Sequence, residues 1–157
     1  MKSNSIEIKY SIFSDTDELS PENCALMAKA KEASLSAYAP YSRFRVGAAV
    51  LLLDGEIITG NNQENASYPE GLCAERVALF AAMAQYPQGK IKAIAIYGNP
   101  MDYALNHFVT PCGACRQVLM ECEQRNNNNI SVLCGGTAGE MLYVESAKHL
   151  LPLNFKM

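Results

Sequence analysis

The stretch TPCGACRQ, Thr110 to Gln117, sets two cysteines three residues apart behind a proline. In a helix, Cys112 and Cys115 would lie one turn apart and share a face. They could hold each other as a redox pair, a structural metal, or a metal that does chemistry. Two ordinary buried thiols are the plainest reading, but Pro111, Gly113 and the helix start that accompany them argue against it. The stretch GNNQENASYPEGLCAER, Gly60 to Arg76, bears on the choice.

The chain has 157 residues, enough for one compact domain with a proper core. Hydrophobic residues make up 49% and charged residues 18%, which places it among globular rather than disordered sequences. The net charge is −3, and the 13 Lys and Arg form no basic run, so a nucleic-acid partner is not expected. No apolar run is long enough to span a membrane. The opening MKSNSIEIKY lacks the apolar core of a signal peptide. A cytoplasmic setting follows as the expectation, with six reduced cysteines, in which a CxxC is metal-binding or catalytic rather than a staple.

The pattern predicts a short strand through Ile6, Ile8, Tyr10 and Ile12, and a helix from Ser20-Pro21-Glu22 to about Tyr38, before Pro40. Val46–Leu53 and Glu56–Thr59 flank Asp54-Gly55, a strong hairpin signal. Helices are expected over Cys73 to about Tyr86 and Cys112 to about Gln124. Strands are expected at Ile91–Tyr97, Ile130–Cys134 and Met141–Val144. Asn126 to Asn129 reads as a loop, and Ser146–Leu151 as a short helix. Strands alternating with helices argue for an α/β sandwich around a mixed sheet. On this reading Cys73 and Cys112 each open a helix.

A redox reading rests on Cys-Gly-Ala-Cys at a helix N-terminus, which superficially resembles a thioredoxin-like motif. The zinc reading needs a third ligand. Cys122 lies two turns past Cys115, roughly 10 Å along the axis, too far for ligands about 2.3 Å from one ion. Cys24 and Cys134 lack any motif and read as buried small hydrophobes. His107 and His149 lack metal spacing. Cys73 is different, because Glu75 follows two residues later. Three thiolates leave a fourth position open for water, the mark of a catalytic zinc, and water there loses a proton more readily. Glu75 could take that proton and pass it to a leaving group. By itself, though, it reads as a solvated charge at a helix start. Zinc with three thiolates carries a formal charge of −1. Two helix N-termini and a hydrogen bond from Arg76 would partly offset it.

CAER at Cys73–Arg76 and PCGACRQ at Pro111–Gln117 together resemble the zinc-dependent cytidine deaminases. AYAPYSRFRVGAAV at Ala37–Val50 and GNNQENASYP at Gly60–Pro69 also look like this family, as does LLPLNF near the C-terminus, more weakly. The resemblance covers about Ser20 to Phe155. It implies a three-layer α/β/α sandwich around a mixed five-stranded sheet, as a single domain over residues 1–157. Residues 1–19 form an N-terminal extension without an assigned role, an added edge strand being one that is open to it.

The resemblance further implies hydrolytic deamination of cytidine and deoxycytidine, in pyrimidine salvage, with one Zn²⁺ per chain. Cys73, Cys112 and Cys115 fall on the zinc ligands, Glu75 on the proton shuttle and Arg76 on the residue paired with the thiolates. Asn62 and Glu64 fall on the residues that hold the ribose hydroxyls, and Phe44 on the ring against the nucleoside. The Ala74 backbone falls where the base is held, and the Thr110 carbonyl where the amino group departs. Glu64 would repel a phosphate, which favours a small-molecule nucleoside over a nucleotide. Three cysteine ligands imply the homotetrameric branch, with active sites near subunit interfaces and Phe155 reaching in from a neighbouring subunit. The rival readings are a deaminase of another cytosine-containing nucleoside, such as a nucleoside antibiotic, and, from another class, a structural zinc or redox protein.

Overall fold

The computed structural model describes residues 1–155. Its strands are β1 (Ser11–Phe13), β2 (Phe44–Leu52), β3 (Ile57–Asn61), β4 (Ile91–Pro100), β5 (Ser131–Gly136) and β6 (Met141–Val144). Its helices are α1 (Pro21–Ser34), α2 (Ala74–Gln85) and α3 (Gly113–Asn126). The strands form one mixed sheet in the order β1-β6-β5-β4-β2-β3. Only β4 and β5 run parallel, with α3 as their crossover; the other pairs are antiparallel.

The strand period of two sorts side chains into two cores. Ala48, Val50 and Leu52 of β2 pack with Ile94 and Ile96 of β4 under α2 and α3. Ala49 and Leu51 point the other way and meet Leu26, Met27 and Ala30 of α1. Three layers result, α1 on one face and α2 with α3 on the other, because the central strands are apolar on both faces.

Three expectations shift. The sheet has six strands, not five, because the extension supplies β1, whose Ser11, Ile12 and Phe13 pair with Tyr143, Leu142 and Met141. The alternating pattern begins at Ile6, yet the paired strand begins at Ser11, and Ile6, Ile8 and Tyr10 stay exposed. Periodicity marked side chains that could face a core, but only the edge of β6 decides which amides find partners. Helix α1 stops at Ser34 rather than near Tyr38. The Tyr38 amide donates to the Asn62 carbonyl at 3.0 Å and the Tyr38 carbonyl accepts from the Glu64 amide at 2.9 Å, which draws that segment out of the helix and onto the chain after β3. Asp54-Gly55 turns the hairpin as expected, with Gly55 at φ +97°. The Ser146–Leu151 segment is a 3-10 turn over Ala147–Leu150.

Candidate metal centre and nucleoside cavity

Cys73 caps α2 and Cys112 caps α3, both with extended backbone, and Cys115 lies in the first turn of α3. Two helix N-termini therefore aim at one point, and their partial positive charges favour thiolates there. Helix α2 is held close to the sheet because β3 passes beneath it as Gly60. A Cβ on Gly60 would lie 2.5 Å from the Ala78 nitrogen and 2.9 Å from the Ala74 oxygen.

The Cys73 and Cys112 sulfurs are 3.9 Å apart, the Cys112 and Cys115 sulfurs 3.5 Å, and all three lie within 4.8 Å of one another. A disulfide needs about 2.05 Å, so no pair is bonded. Tetrahedral bonds of about 2.3 Å to one zinc ion set sulfurs about 3.8 Å apart, which this triangle brackets. Among the described residues no fourth His, Cys, Asp or Glu completes the cluster. The three thiols are thus a site for one zinc ion with a position left open, not a closed structural site. Cys134 is buried as expected, whereas Cys24 is half-buried and donates to the Thr16 carbonyl; Cys122, too far along α3 to be a ligand, is also buried outside the cluster.

The charge pattern agrees. Arg76 Nη2 lies 3.7 Å from the Cys73 sulfur and donates to it. The Cys73 thiol is pulled down to about 5, first by the hydrogen bond from Cys115, then by Arg76. Cys115 is pushed upward by the same bond and by burial. Glu75 is only 5% exposed, so it is not the solvated helix-start charge that the sequence alone would allow. Burial raises its carboxyl above the usual range, and the Cys73 thiolate adds to that.

A cavity of about 300 Å³ opens onto these groups. Cys73, Ala74, Glu75 and Cys112 line it together with Phe44, Val46, Asn62 and Thr110. Asn62 is anchored from both ends of its amide. Its Oδ1 accepts from the Val46 amide at 2.8 Å, and its Nδ2 donates to the Phe44 carbonyl at 2.9 Å. One amide hydrogen and one lone pair remain for a ligand hydroxyl.

Residues 20–129 match the family model described as "Cytidine and deoxycytidylate deaminase zinc-binding region". The chain belongs to this zinc-dependent deaminase family. It is 49% identical over 98 residues to a cytidine deaminase of Halalkalibacterium halodurans, covering 61% of this chain and 68% of that one. It is 44% identical over 96 residues to one of Mycobacterium tuberculosis, covering 61% and 68%. The crystal structure of a cytidine deaminase from Burkholderia pseudomallei superposes with a TM-score of 0.74 at 43% identity, covering 83% of this chain and 97% of that chain.

The remaining deaminase-motif residues fall around this cavity less uniformly. Glu64 lies next to it, in a neighbouring hollow that shares Ser42. Its Oε2 accepts from the Tyr41 and Ser42 amides at 2.9 and 3.2 Å. Burial is the largest single influence and pushes its carboxyl up, but the hydrogen bonds from Ser42 and Tyr41 together outweigh it and hold the carboxyl below the usual range. Phe155 is exposed and outside the cavity lining, its carbonyl accepting from Gln117 Nε2 at 3.4 Å.

Sequence reasoning missed three residues that shape the site. Val109 lines the cavity from the segment that carries no motif. Arg116 grips the loop before Cys112. Glu123, read only as part of a helix, is a buried carboxylate that accepts from the Ile130 and Ala147 amides and the Ser146 hydroxyl. Arg116 stood inside the quoted motif, so its charge was a usable signal; Val109 and Glu123 gave none.

Proposed function

We propose that this chain is a cytidine deaminase that hydrolyses cytidine and deoxycytidine to the corresponding uridines with release of ammonia. The observation that carries the proposal is the cavity itself, which sets a buried carboxylate beside three convergent thiols and faces them with an amide and an aromatic ring. Zinc held by Cys73, Cys112 and Cys115 supplies an open position where water loses a proton easily.

The chain's own groups do the rest. Glu75 accepts one proton of the attacking water and passes it to the pyrimidine N3; it then takes the remaining hydroxyl proton of the C4 adduct and gives it to the amino group, so that the C4 carbonyl forms as the C–N bond breaks and ammonia leaves. Its burial suits that exchange, since burial raises the carboxyl above its usual range and makes the carboxylate a better proton acceptor. The Ala74 backbone holds the base, and the Thr110 carbonyl receives the leaving amine. Asn62 and Glu64 bind the ribose hydroxyls, each with acceptor or donor capacity left after its own anchoring bonds. Phe44 packs on the nucleoside. A carboxylate at Glu64 disfavours a phosphorylated substrate by repulsion.

We also take residues 1–157 as one catalytic domain acting in the cytoplasm in pyrimidine salvage, assembled as a homotetramer. Exposed Tyr38, Tyr41, Tyr68 and Phe155 support the assembly, as apolar side chains that a neighbouring copy would cover. Phe155 then enters the cavity of an adjacent subunit.

Loss of cytidine absorbance on metal-analysed protein tests the proposal. Turnover to uridine with close to one zinc per chain is expected, and Glu75→Ala should keep the zinc and lose nearly all turnover. Near-normal turnover in that variant would end the assigned mechanism. Zinc without cytidine turnover, but with turnover of another cytosine-containing nucleoside, would move the substrate and keep the chemistry.

A further inference from the structure

Thr110 lines the cavity and, through Pro111, leads into Cys112, yet the sheet does not hold this loop. Strand β4 ends at Pro100. The Val109 amide donates to the Gly135 carbonyl at 3.3 Å, and the next backbone bond is from the Arg116 amide to the Cys112 carbonyl at 2.9 Å, inside α3. Pro111 has no amide hydrogen to give. Among the described residues, the hydrogen bonds that reach Thr110 and Pro111 come from one side chain. Arg116 Nε donates to the Pro111 carbonyl at 2.8 Å, and Nη2 to the Thr110 hydroxyl at 3.4 Å.

The third arm of the same guanidinium turns the other way. Nη1 donates to the Leu150 carbonyl at 3.0 Å, at the end of the Ala147–Leu150 turn. That turn is itself pinned to α3 two helical turns later, where Glu123 accepts from Ser146 and Ala147. The fork thus ties the loop to a rigid part of the molecule. Among the described residues Arg116 makes no ion pair with a carboxylate. All three partners are neutral oxygens arranged to match a planar fork of N–H donors, a task that a lysine ammonium cannot copy.

We propose that Arg116 is a positioning residue for the reaction: it fixes the Thr110-Pro111 loop against the Ala147–Leu150 turn, so that the Thr110 carbonyl and Cys112 are held at the cavity in one register. This rests on the reading of the cavity as a deaminase centre. A misplacement of about 1 Å at reacting groups costs on the order of 100-fold in rate.

The test is Arg116→Ala and Arg116→Lys, each compared with the unaltered protein for zinc content, melting temperature, kcat, KM and amide hydrogen exchange at residues 109–113. Arg116→Ala should lower kcat by about 10- to 100-fold, with KM within about threefold and zinc still near one per chain. Exchange at the Val109 amide, which donates to the Gly135 carbonyl, should quicken. Arg116→Lys should be nearly as slow as Arg116→Ala, and added guanidinium ion should partly restore the alanine variant. Full activity in the lysine variant would overturn the fork argument. A loss of zinc and melting temperature in step with activity would make Arg116 merely structural and overturn it as well. If the unaltered protein leaves cytidine untouched, the deaminase reading fails separately. The exchange rates then still decide, because an unchanged loop in Arg116→Ala refutes the positioning role.

Discussion

Gly60→Ala tests how the metal centre is built. The new Cβ would meet backbone, not a yielding side chain, at 2.5 Å from the Ala78 nitrogen and 2.9 Å from the Ala74 oxygen. Ordinary contact begins near 3.4 Å, so the shortfalls are 3.4 − 2.5 = 0.9 Å and 3.4 − 2.9 = 0.5 Å. Helix α2 must therefore lift from β3 by about 0.5–0.9 Å at its first turns, a strain of the overpacking kind worth about 1–3 kcal/mol. Cys73 caps that helix, whereas Cys112 and Cys115 ride on α3 and stay put. Metal–ligand distances tolerate only about ±0.2 Å. The lift exceeds that severalfold, so the cost should appear in zinc retention as well as in stability. For a chain of this size each kcal/mol moves the melting temperature by about 2–4 °C. The expected result is a metal-free melting temperature lower by roughly 2–12 °C, and zinc lost to a chelator at concentrations that leave the unaltered protein loaded. Metal analysis after graded chelator dialysis, with calorimetry on the stripped protein, gives both numbers. A Gly60→Ala protein with unaltered melting temperature and zinc retention would refute the argument that the close approach of α2 to β3 sets the position of Cys73.

Two further outcomes follow from other anchors. Glu64→Gln should raise KM for cytidine with little change in kcat. Because the folded-state pKa of Glu64 is depressed, its contribution to stability is present above the unfolded value of about 4.3 and is lost as pH falls through the lower folded value. Melting temperature against pH should therefore be flatter on the acid side in the glutamine variant. Glu123→Ala strands the buried Ile130 amide and the buried Ser146 hydroxyl, while the Ala147 amide keeps the Ile130 carbonyl at 3.0 Å, a loss of about 2–6 kcal/mol at 1–3 per unsatisfied group. Thermal unfolding reads it directly, and a change under 1 kcal/mol would mean that water replaces the carboxylate.

Much of the molecule was legible before any coordinates. The apolar runs at Val46–Leu53 and Ile91–Tyr97 are strands because they are apolar on both faces, and a strand buried on both sides reads as a continuous hydrophobic run. The Asp54-Gly55 turn was legible because only a residue free of a Cβ adopts φ +97° cheaply. The helix start at Ser20-Pro21 follows from local capping chemistry, the Ser20 hydroxyl accepting from the Asn23 amide three residues on. Such signals depend on short stretches of chain, and short stretches are what a sequence displays.

The pairing that makes these pieces into a site belongs to the tertiary structure. Spacing put Cys112 and Cys115 on one face, but nothing local brings Cys73, 39 residues earlier, to 3.9 Å from Cys112. That depends on the sheet order, which sets the starts of α2 and α3 side by side on one face. The sequence left Glu75 open between a solvated charge and a buried acid, and burial is decided by what packs around it. The sixth strand, the early end of α1 and the tie from Arg116 to Leu150 share the same cause. Each is a hydrogen bond between groups distant in the chain, and its partner exists only once the rest has folded. The residue types set the chemistry available to this protein, a soft-ligand metal site with an acid beside it. The fold determined which of those groups meet, at what distance and how deeply each is buried.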